Sequence, residues 1–133
     1  MAQTSVLIVG LDPWLIDFSS PPYDASGLDA AAVRAGLMAD QAQLNALGYE
    51  VELCLLDFGA TAETVLRQGL SRKRYDCVMI GAGVRMMAEN TPLFEKLVNL
   101  VHTDAPQAKF CFNTVPTGTS AAVQRCLPAV KQI

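Results

Sequence analysis

The chain has 133 residues, of which 51% are hydrophobic and 17% charged, and its net charge at neutral pH is −3. This length suits one domain over residues 1–133 that is large enough to bury a core, and the composition excludes a disordered chain. The acidic balance lacks the basic surface that nucleic acids and anionic membranes bind, so we expect neither as a partner.

We expect no secretory signal at the beginning of the chain. Residues 1–4 lack the basic region that opens such a signal, and no apolar run reaches the ~20 residues of a membrane span. We therefore expect a cytoplasmic protein.

The four cysteines are Cys54, Cys77, Cys111 and Cys126. They lie far apart in sequence, without a CxxC pair or a neighbouring histidine, so the spacing predicts no metal site. Three of them fall in apolar runs, where a free cysteine packs as a small hydrophobic residue.

Four apolar runs alternate with four segments of helical periodicity, and this order predicts βα units on a parallel sheet. Each run is almost continuously apolar, as at residues 6–9, which is typical of strands that helices cover on both faces. The predicted strands are residues 5–10, 51–56, 77–80 and 109–113.

The loop after the first predicted strand, residues 11–25, is far longer than the usual ~2 to 6 residues of a βα connection. It begins with Asp12, Pro13 and Trp14, and it contains the apolar residues Leu15, Ile16 and Phe18. We expect these apolar side chains to fold back over the end of the sheet. They form either a structural plug or a lid over a functional site.

The first predicted helix begins at Ser26, because Asp29 three residues later completes a capping box. It ends before Gly48, since glycine suits the left-handed backbone that follows many helices.

This helix has two apolar faces. At about 100° per residue, one face holds Ala31, Ala32, Ala35, Met38, Ala39, Ala42 and Ala46, and we expect it to pack closely on the sheet. The other face holds Val33, Leu37 and Leu44. Because this second patch also needs cover, we predict that the long loop covers it or that the chain forms a homodimer through this helix.

Three further helices follow. The second covers residues 61–70, and the third begins at Thr91 as N-cap with Pro92 in its first turn. The fourth begins near residues 119–120 and ends or kinks at Pro128, which lacks a backbone donor.

Right-handed crossovers on both faces predict a three-layer, doubly wound α/β fold of flavodoxin-like or Rossmann-like type, with the strand order 2-1-3-4. In this order the direction in which successive strands are added to the sheet reverses between strands 1 and 3. Ligands of such sheets bind beyond the carboxyl ends of the strands at that point. The loops that follow Gly10 and Ile80 should therefore face each other.

Seven residues are predicted to converge on this point: Asp12, Trp14, Gly81, Gly83, Arg85, Asn113 and Thr114. The two glycines would let backbone amides approach a ligand, and Arg85 would hold a carboxylate or phosphate. The alternative is that the glycines only permit the turn and that Arg85 pairs with Asp12 or Glu89.

The order of elements resembles that of phosphorylation receiver domains and of flavodoxins. Asp12 and Thr114 match two receiver positions, but residues 81–83 stand where a receiver has its phosphoacceptor. Residues 12–14 stand where a flavodoxin has a hydroxyl-rich phosphate loop. The resemblance is therefore one of topology, and it predicts neither aspartyl phosphorylation nor binding of flavin mononucleotide.

Three classes of function remain open, and no cofactor is assigned. The first is a module that binds a small anionic ligand or a protein partner at the carboxyl ends of strands 1 and 3. The second is a transferase or hydrolase with Asp12 as base and Arg85 as the stabiliser of negative charge. The third is a nucleotide-dependent oxidoreductase, for which Asp57 stands at the place of a ribose-binding acid but no GxGxxG motif follows the first strand.

Overall fold

The computed structural model describes residues 4–21, 23–115 and 118–127. The strands are β1 (Thr4–Leu11), β2 (Tyr49–Leu56), β3 (Cys77–Ile80) and β4 (Lys109–Phe112). The helices are α1 (Ala30–Ala46), α2 (Ala62–Ser71), the single turn α3 (Ala82–Arg85), α4 (Thr91–Asp104) and α5 (Thr119–Cys126). No helix in these ranges is both long enough and apolar enough to cross a membrane.

All four strands are parallel, and their order is β2-β1-β3-β4. Val6 lies opposite Val51 on one side and opposite Cys77 on the other. The predicted α/β fold with strand order 2-1-3-4 is thus confirmed, and with it the point between β1 and β3 where the direction of strand addition reverses.

Helices cover both faces of the sheet. Leu7 and Val9 pack with residues of α2 and α4, whereas Val6 and Ile8 pack with residues of α1 and α5. These four side chains are almost completely buried, which explains why the first strand is continuously apolar in sequence instead of alternating.

The first helix starts later than predicted. Its N-cap is Asp29, whose Oδ1 accepts a hydrogen bond of 2.7 Å from the N–H of Ala32. Ser26 instead stabilises the preceding turn, because its hydroxyl donates to the carbonyl of Tyr23 at 2.6 Å. Gly48 has a φ of 101°, so the predicted left-handed glycine after the helix is confirmed.

The other helix boundaries lie within one or two residues of the predicted ones. Asn90 rather than Thr91 is the N-cap of α4, and Pro92 lies in its first turn as expected. The turn α3 and a 3₁₀ turn at Ala88–Asn90 fill the connection between β3 and α4. Pro128, the predicted end of the last helix, lies outside the described residues.

The two faces of α1 are reversed relative to the prediction. Leu44 is completely buried, and Leu37 packs against the same core cluster as Val51 and Ala122. The exposed face is the small-residue one, made of Ala31, Ala32, Ala35, Met38, Ala39, Ala42 and Ala46. A leucine removes more apolar area from water than an alanine does, so burial of the leucine face is the more stable arrangement.

Two polar residues of α1 also favour this orientation. The side-chain amide of Gln41 donates to the carbonyl of Val51 at 2.8 Å, and Oδ1 of Asn45 accepts from the N–H of Val51 at 3.2 Å. Because β2 is an edge strand, these bonds satisfy outward-facing backbone groups that the sheet leaves unpaired. The leucine patch predicted to form a homodimer is therefore part of the core, and the homodimer itself stays a prediction.

Candidate functional site

A cavity of about 150 Å³ lies beyond the carboxyl ends of β1 and β3, where the strand order predicts a site. Ile8 and Met79 of the sheet, Val33 and Leu37 of α1, and Phe18 of the long loop contribute to its largely apolar lining. We call this space the switch-point cavity. Its position agrees with the rule for ligand binding in open α/β sheets.

The long loop after β1 supplies part of the lining. Ile16 and Phe18 line the cavity. Ile16 also packs against the core cluster that contains Leu7 and Val9, as expected of a structural plug. The rings of Phe18 and Tyr23 meet edge to face, with centroids 5.3 Å apart. Leu15, which was also expected to fold back, is 51% exposed, so that part of the prediction is wrong.

Asp12 has a local structural role. Its Oδ1 accepts a hydrogen bond of 3.0 Å from the N–H of Trp14 and thereby caps the 3₁₀ turn Pro13–Leu15. The Trp14 side chain is 67% exposed. A capping carboxylate already holds a donor, which makes Asp12 a poorer candidate for a general base.

Tyr23 provides a polar group at the cavity. Burial raises the pKa of its hydroxyl, and the negative charge of Glu89 raises that pKa further. The hydroxyl therefore stays protonated at neutral pH. It lies beside Gly83, where a Cβ added to the glycine would be 3.5 Å from the Tyr23 oxygen.

Asn113 joins the end of β4 to the connection that follows β3. It is buried, and its Oδ1 accepts a hydrogen bond of 2.8 Å from the N–H of Ala82. Its Nδ2 donates to the hydroxyl of Thr119 at 3.4 Å. Asn113 thus positions one wall of the cavity, whereas the neighbouring Thr114 is exposed.

Arg85 also joins these two segments. Its Nε donates to the carbonyl of Ile80 at 3.1 Å, and its Nη2 donates to the carbonyl of Asn113. The guanidinium carbon lies 5.0 Å from the ring centroid of Phe112, and burial lowers the pKa of the group. Both predictions for Arg85, an anion clamp or an ion pair, omitted this bridging role.

Gly81 and Gly83 line the cavity, but neither has a positive φ. A Cβ on Gly81 would lie 3.6 Å from the carbonyl oxygen of Val9, which is an ordinary contact. The first amide of the turn α3, that of Ala82, is already bound by Asn113. These glycines therefore leave space for the cavity and are not needed for backbone strain.

The structure brings together only part of the predicted site. Gly81, Gly83 and Asn113 line the cavity, whereas Asp12, Trp14, Arg85 and Thr114 do not belong to its lining. The sequence placed Phe18 over the end of the sheet, but sequence reasoning missed Tyr23, Val33 and Gly36 as lining residues. Gly36 carried a signal, since a glycine inside a helix costs about 0.5–1 kcal/mol relative to alanine and indicates a local need for space.

The surface around the cavity is apolar and acidic. Six exposed apolar side chains lie at or just after the carboxyl ends of the strands: Trp14, Leu15, Phe58, Met86, Phe112 and Val115. The loops after the strands carry the carboxylates of Asp12, Asp17, Asp24, Asp29, Asp57 and Glu89, with Arg85 as their only basic residue. Hydrogen bonds from Ser19 and Ser20 lower the pKa of Asp17, so this carboxylate is charged at neutral pH. The resulting potential disfavours anions.

A wider groove of about 530 Å³ lies between α2 and α4. Its lining includes the charged side chains of Glu63, Arg67, Glu95 and Lys96, which have both signs. It belongs to the helix surface and not to the strand ends, so the switch-point cavity is the better candidate site.

Comparison with models of known protein families gives no match for this chain, and comparison with the curated proteins gives none either. The interpretation of the site therefore rests on its geometry and chemistry.

Proposed function

We propose that this domain binds a small, largely apolar molecule in the switch-point cavity. The observation that carries the proposal is an apolar space at the point of an open α/β sheet where ligands bind. The long loop contributes Phe18 and Tyr23 to the lining, so its ordering would be coupled to the ligand.

The volume limits the ligand to about the size of one ring. An enclosed apolar cavity of ~150 Å³ accepts a molecule such as benzene. The present cavity also has a volume of about 150 Å³, and it is partly open, because Gly36 in its lining is exposed to solvent. Tyr23 would add one hydrogen bond, so a ring with a single polar substituent fits both the size and the lining.

An anionic ligand, which the sequence predicted, has less support. The one basic side chain of the surrounding loops, Arg85, is engaged with the carbonyls of Ile80 and Asn113. Six carboxylates lie in the same loops. A neutral ligand avoids repulsion by these carboxylates. A transferase or hydrolase mechanism also has less support, because it needs Arg85 to stabilise negative charge.

Blocking the cavity tests this proposal. Gly36 of α1 lines the cavity, and a Cβ placed on it meets no atom within 4 Å. Phenol or toluene at 100 times its dissociation constant should stabilise the native chain by about 2.7 kcal/mol. We expect the corresponding rise in Tm, measured by calorimetry, to disappear in Gly36→Leu.

Ala35→Leu is the matched control, because it adds the same side chain to the exposed face of the same helix. It should keep the full ligand-dependent rise in Tm. An equal rise in Gly36→Leu, or no rise in the native chain with any ring-sized apolar compound, would contradict the proposal.

A second candidate is a protein partner that binds the surface around the cavity. The six exposed apolar side chains and six carboxylates of this surface fit a partner segment that is both apolar and basic. Trp14 is the only tryptophan and is 67% exposed there, so its fluorescence reports directly on this surface.

Titration with a helical peptide of lysine and leucine tests this candidate. We expect the emission of Trp14 to shift to shorter wavelength as its ring leaves water, and the apparent affinity to fall with added salt. A peptide with glutamate in place of lysine is the control and should leave the emission unchanged. Equal responses to the two peptides would rule out charge-selective binding here.

A further inference from the structure

Three of the four cysteines meet on one side of the sheet, although they are 34 and 15 residues apart along the chain. Cys77 lies on β3, Cys111 on β4, and Cys126 in the last turn of α5. The Sγ atoms of Cys77 and Cys111 are 3.2 Å apart, and those of Cys77 and Cys126 are 3.7 Å apart. All three Sγ atoms lie within 4.8 Å of one another. We call these residues the thiol cluster.

The sheet register disfavours a disulfide between the two strand cysteines. Cys77 lies opposite Lys109, and Cys111 lies opposite Met79, so the two cysteines are offset by two residues along neighbouring strands. With strands ~4.8 Å apart and a rise of ~3.3 Å per residue, their Cα atoms are about 8 Å apart. A disulfide needs a Cα separation of about 4.4–6.8 Å, so bridging would require movement of the backbone. The thiols of Cys77 and Cys111 thus converge without being placed to pair with each other.

The spacing of the sulfur atoms suits a single metal ion. Tetrahedral Zn²⁺ with bonds of ~2.3 Å to sulfur separates its ligand atoms by about 3.8 Å. The observed distances of 3.2 and 3.7 Å need only small rotamer adjustments to reach this value. Among the described residues, no histidine or carboxylate joins the cluster, and a ligand set of thiolates alone selects a soft or borderline cation.

The cluster is also accessible. A surface cavity of about 400 Å³ is lined by Cys111, Cys126 and Arg125, among other residues. Cys77 is completely buried behind them. A metal ion can therefore enter from this side, and one of its coordination positions would face the cavity.

Charge balance distinguishes between the candidate ions. Three thiolates and Zn²⁺ carry a net charge of −1, and the guanidinium of Arg125, which donates to the carbonyl of Phe112 and lines the same cavity, would partly offset it. Cu⁺ would leave one further negative charge in a largely buried setting, at an additional desolvation cost.

We propose that Cys77, Cys111 and Cys126 form a zinc site, with a fourth position open to the cavity beside Arg125. Binding converts three thiols into thiolates and releases three protons to the buffer. A water molecule or another small donor from solvent would complete the tetrahedron, as in zinc sites with three protein ligands. The site is separate from the switch-point cavity and does not depend on its proposed ligand.

Metal titration of the full, reduced and metal-free chain tests this proposal. We expect one Zn²⁺ per chain in competition with a chromophoric chelator, and an intense thiolate-to-metal charge-transfer band when Co²⁺ is used instead. Loss of an outer-shell partner alone costs about 10–100-fold in metal affinity, so removal of a ligand in Cys126→Ala should cost more than about 100-fold.

Cys54→Ala is the matched control, because Cys54 packs in the core cluster on the opposite face of the sheet. It should bind Zn²⁺ like the native chain. The proposal is overturned if the native chain binds no Zn²⁺, if only Cu⁺ binds, or if Cys126→Ala keeps native affinity. If circular dichroism shows that Cys126→Ala does not fold, the Co²⁺ charge-transfer band of the native chain decides. Its presence supports the proposal, and its absence overturns it.

Discussion

Replacement of Leu44 by alanine is expected to lower the free energy of unfolding by about 2–5 kcal/mol. The side chain is completely buried between α1 and the sheet, in the cluster that contains Val51 and Ala122. Truncation removes apolar contacts and leaves a cavity that the surrounding helix and strands can only partly fill. Urea denaturation followed by circular dichroism measures the change.

Met38→Ala on the same helix is the control. Its side chain is 53% exposed, so we expect a change within about 0.5 kcal/mol. A large loss for Met38→Ala together with a neutral Leu44→Ala would mean that the small-residue face of α1 packs on the sheet after all.

Replacement of Arg85 by methionine is expected to cost about 1–3 kcal/mol, because two carbonyl groups lose a charged donor. These are the carbonyls of Ile80 and Asn113, at the ends of β3 and β4. Methionine retains an apolar side chain next to Phe112, so the measured loss reports mainly on the hydrogen bonds. Urea denaturation followed by circular dichroism measures this change in the free energy of unfolding.

Arg74→Met removes an arginine from an exposed position and should change stability by no more than about 0.5 kcal/mol. The bridging role would be contradicted if Arg85→Met retained native stability and lost a measurable affinity for sulfate or a carboxylate. Arg85 would then bind an anion, as the sequence predicted.

The strands and their order are predictable from the sequence because burial on both faces leaves a continuous apolar run. Residues 6–9 and 77–80 contain no charged side chain, so each can only be a central strand or a buried helix. The other two runs each carry one charged residue, Glu52 or Lys109. Four strands separated by helical segments admit few right-handed arrangements.

The orientation of α1 is not predictable in the same way, because both of its faces are apolar. The larger leucine side chains favour one orientation, and the hydrogen bonds of Gln41 and Asn45 to Val51 on the edge strand β2 add to this preference. These bonds depend on which strand forms the edge and how far the helix lies along it. Neither fact is present in the periodicity of residues 30–46.

The position of the switch-point cavity was predictable from the sequence, but most of the side chains that line it were not. Strand order places the loops, but the direction of each side chain depends on local hydrogen bonds, such as those that turn Arg85 toward the carbonyls of Ile80 and Asn113. The thiol cluster depends on the register of β3 against β4, which spacing along the chain does not reveal.

Methyl-selective NMR with added benzene is the most direct test of the central claim, that the switch-point cavity binds a small apolar molecule. We expect the methyl signals of Ile8, Val33, Leu37 and Met79 to shift in the native chain and to stay unchanged in Gly36→Leu. Shifts confined to exposed methyl groups such as that of Met86, or no shift in the native chain, would contradict the claim.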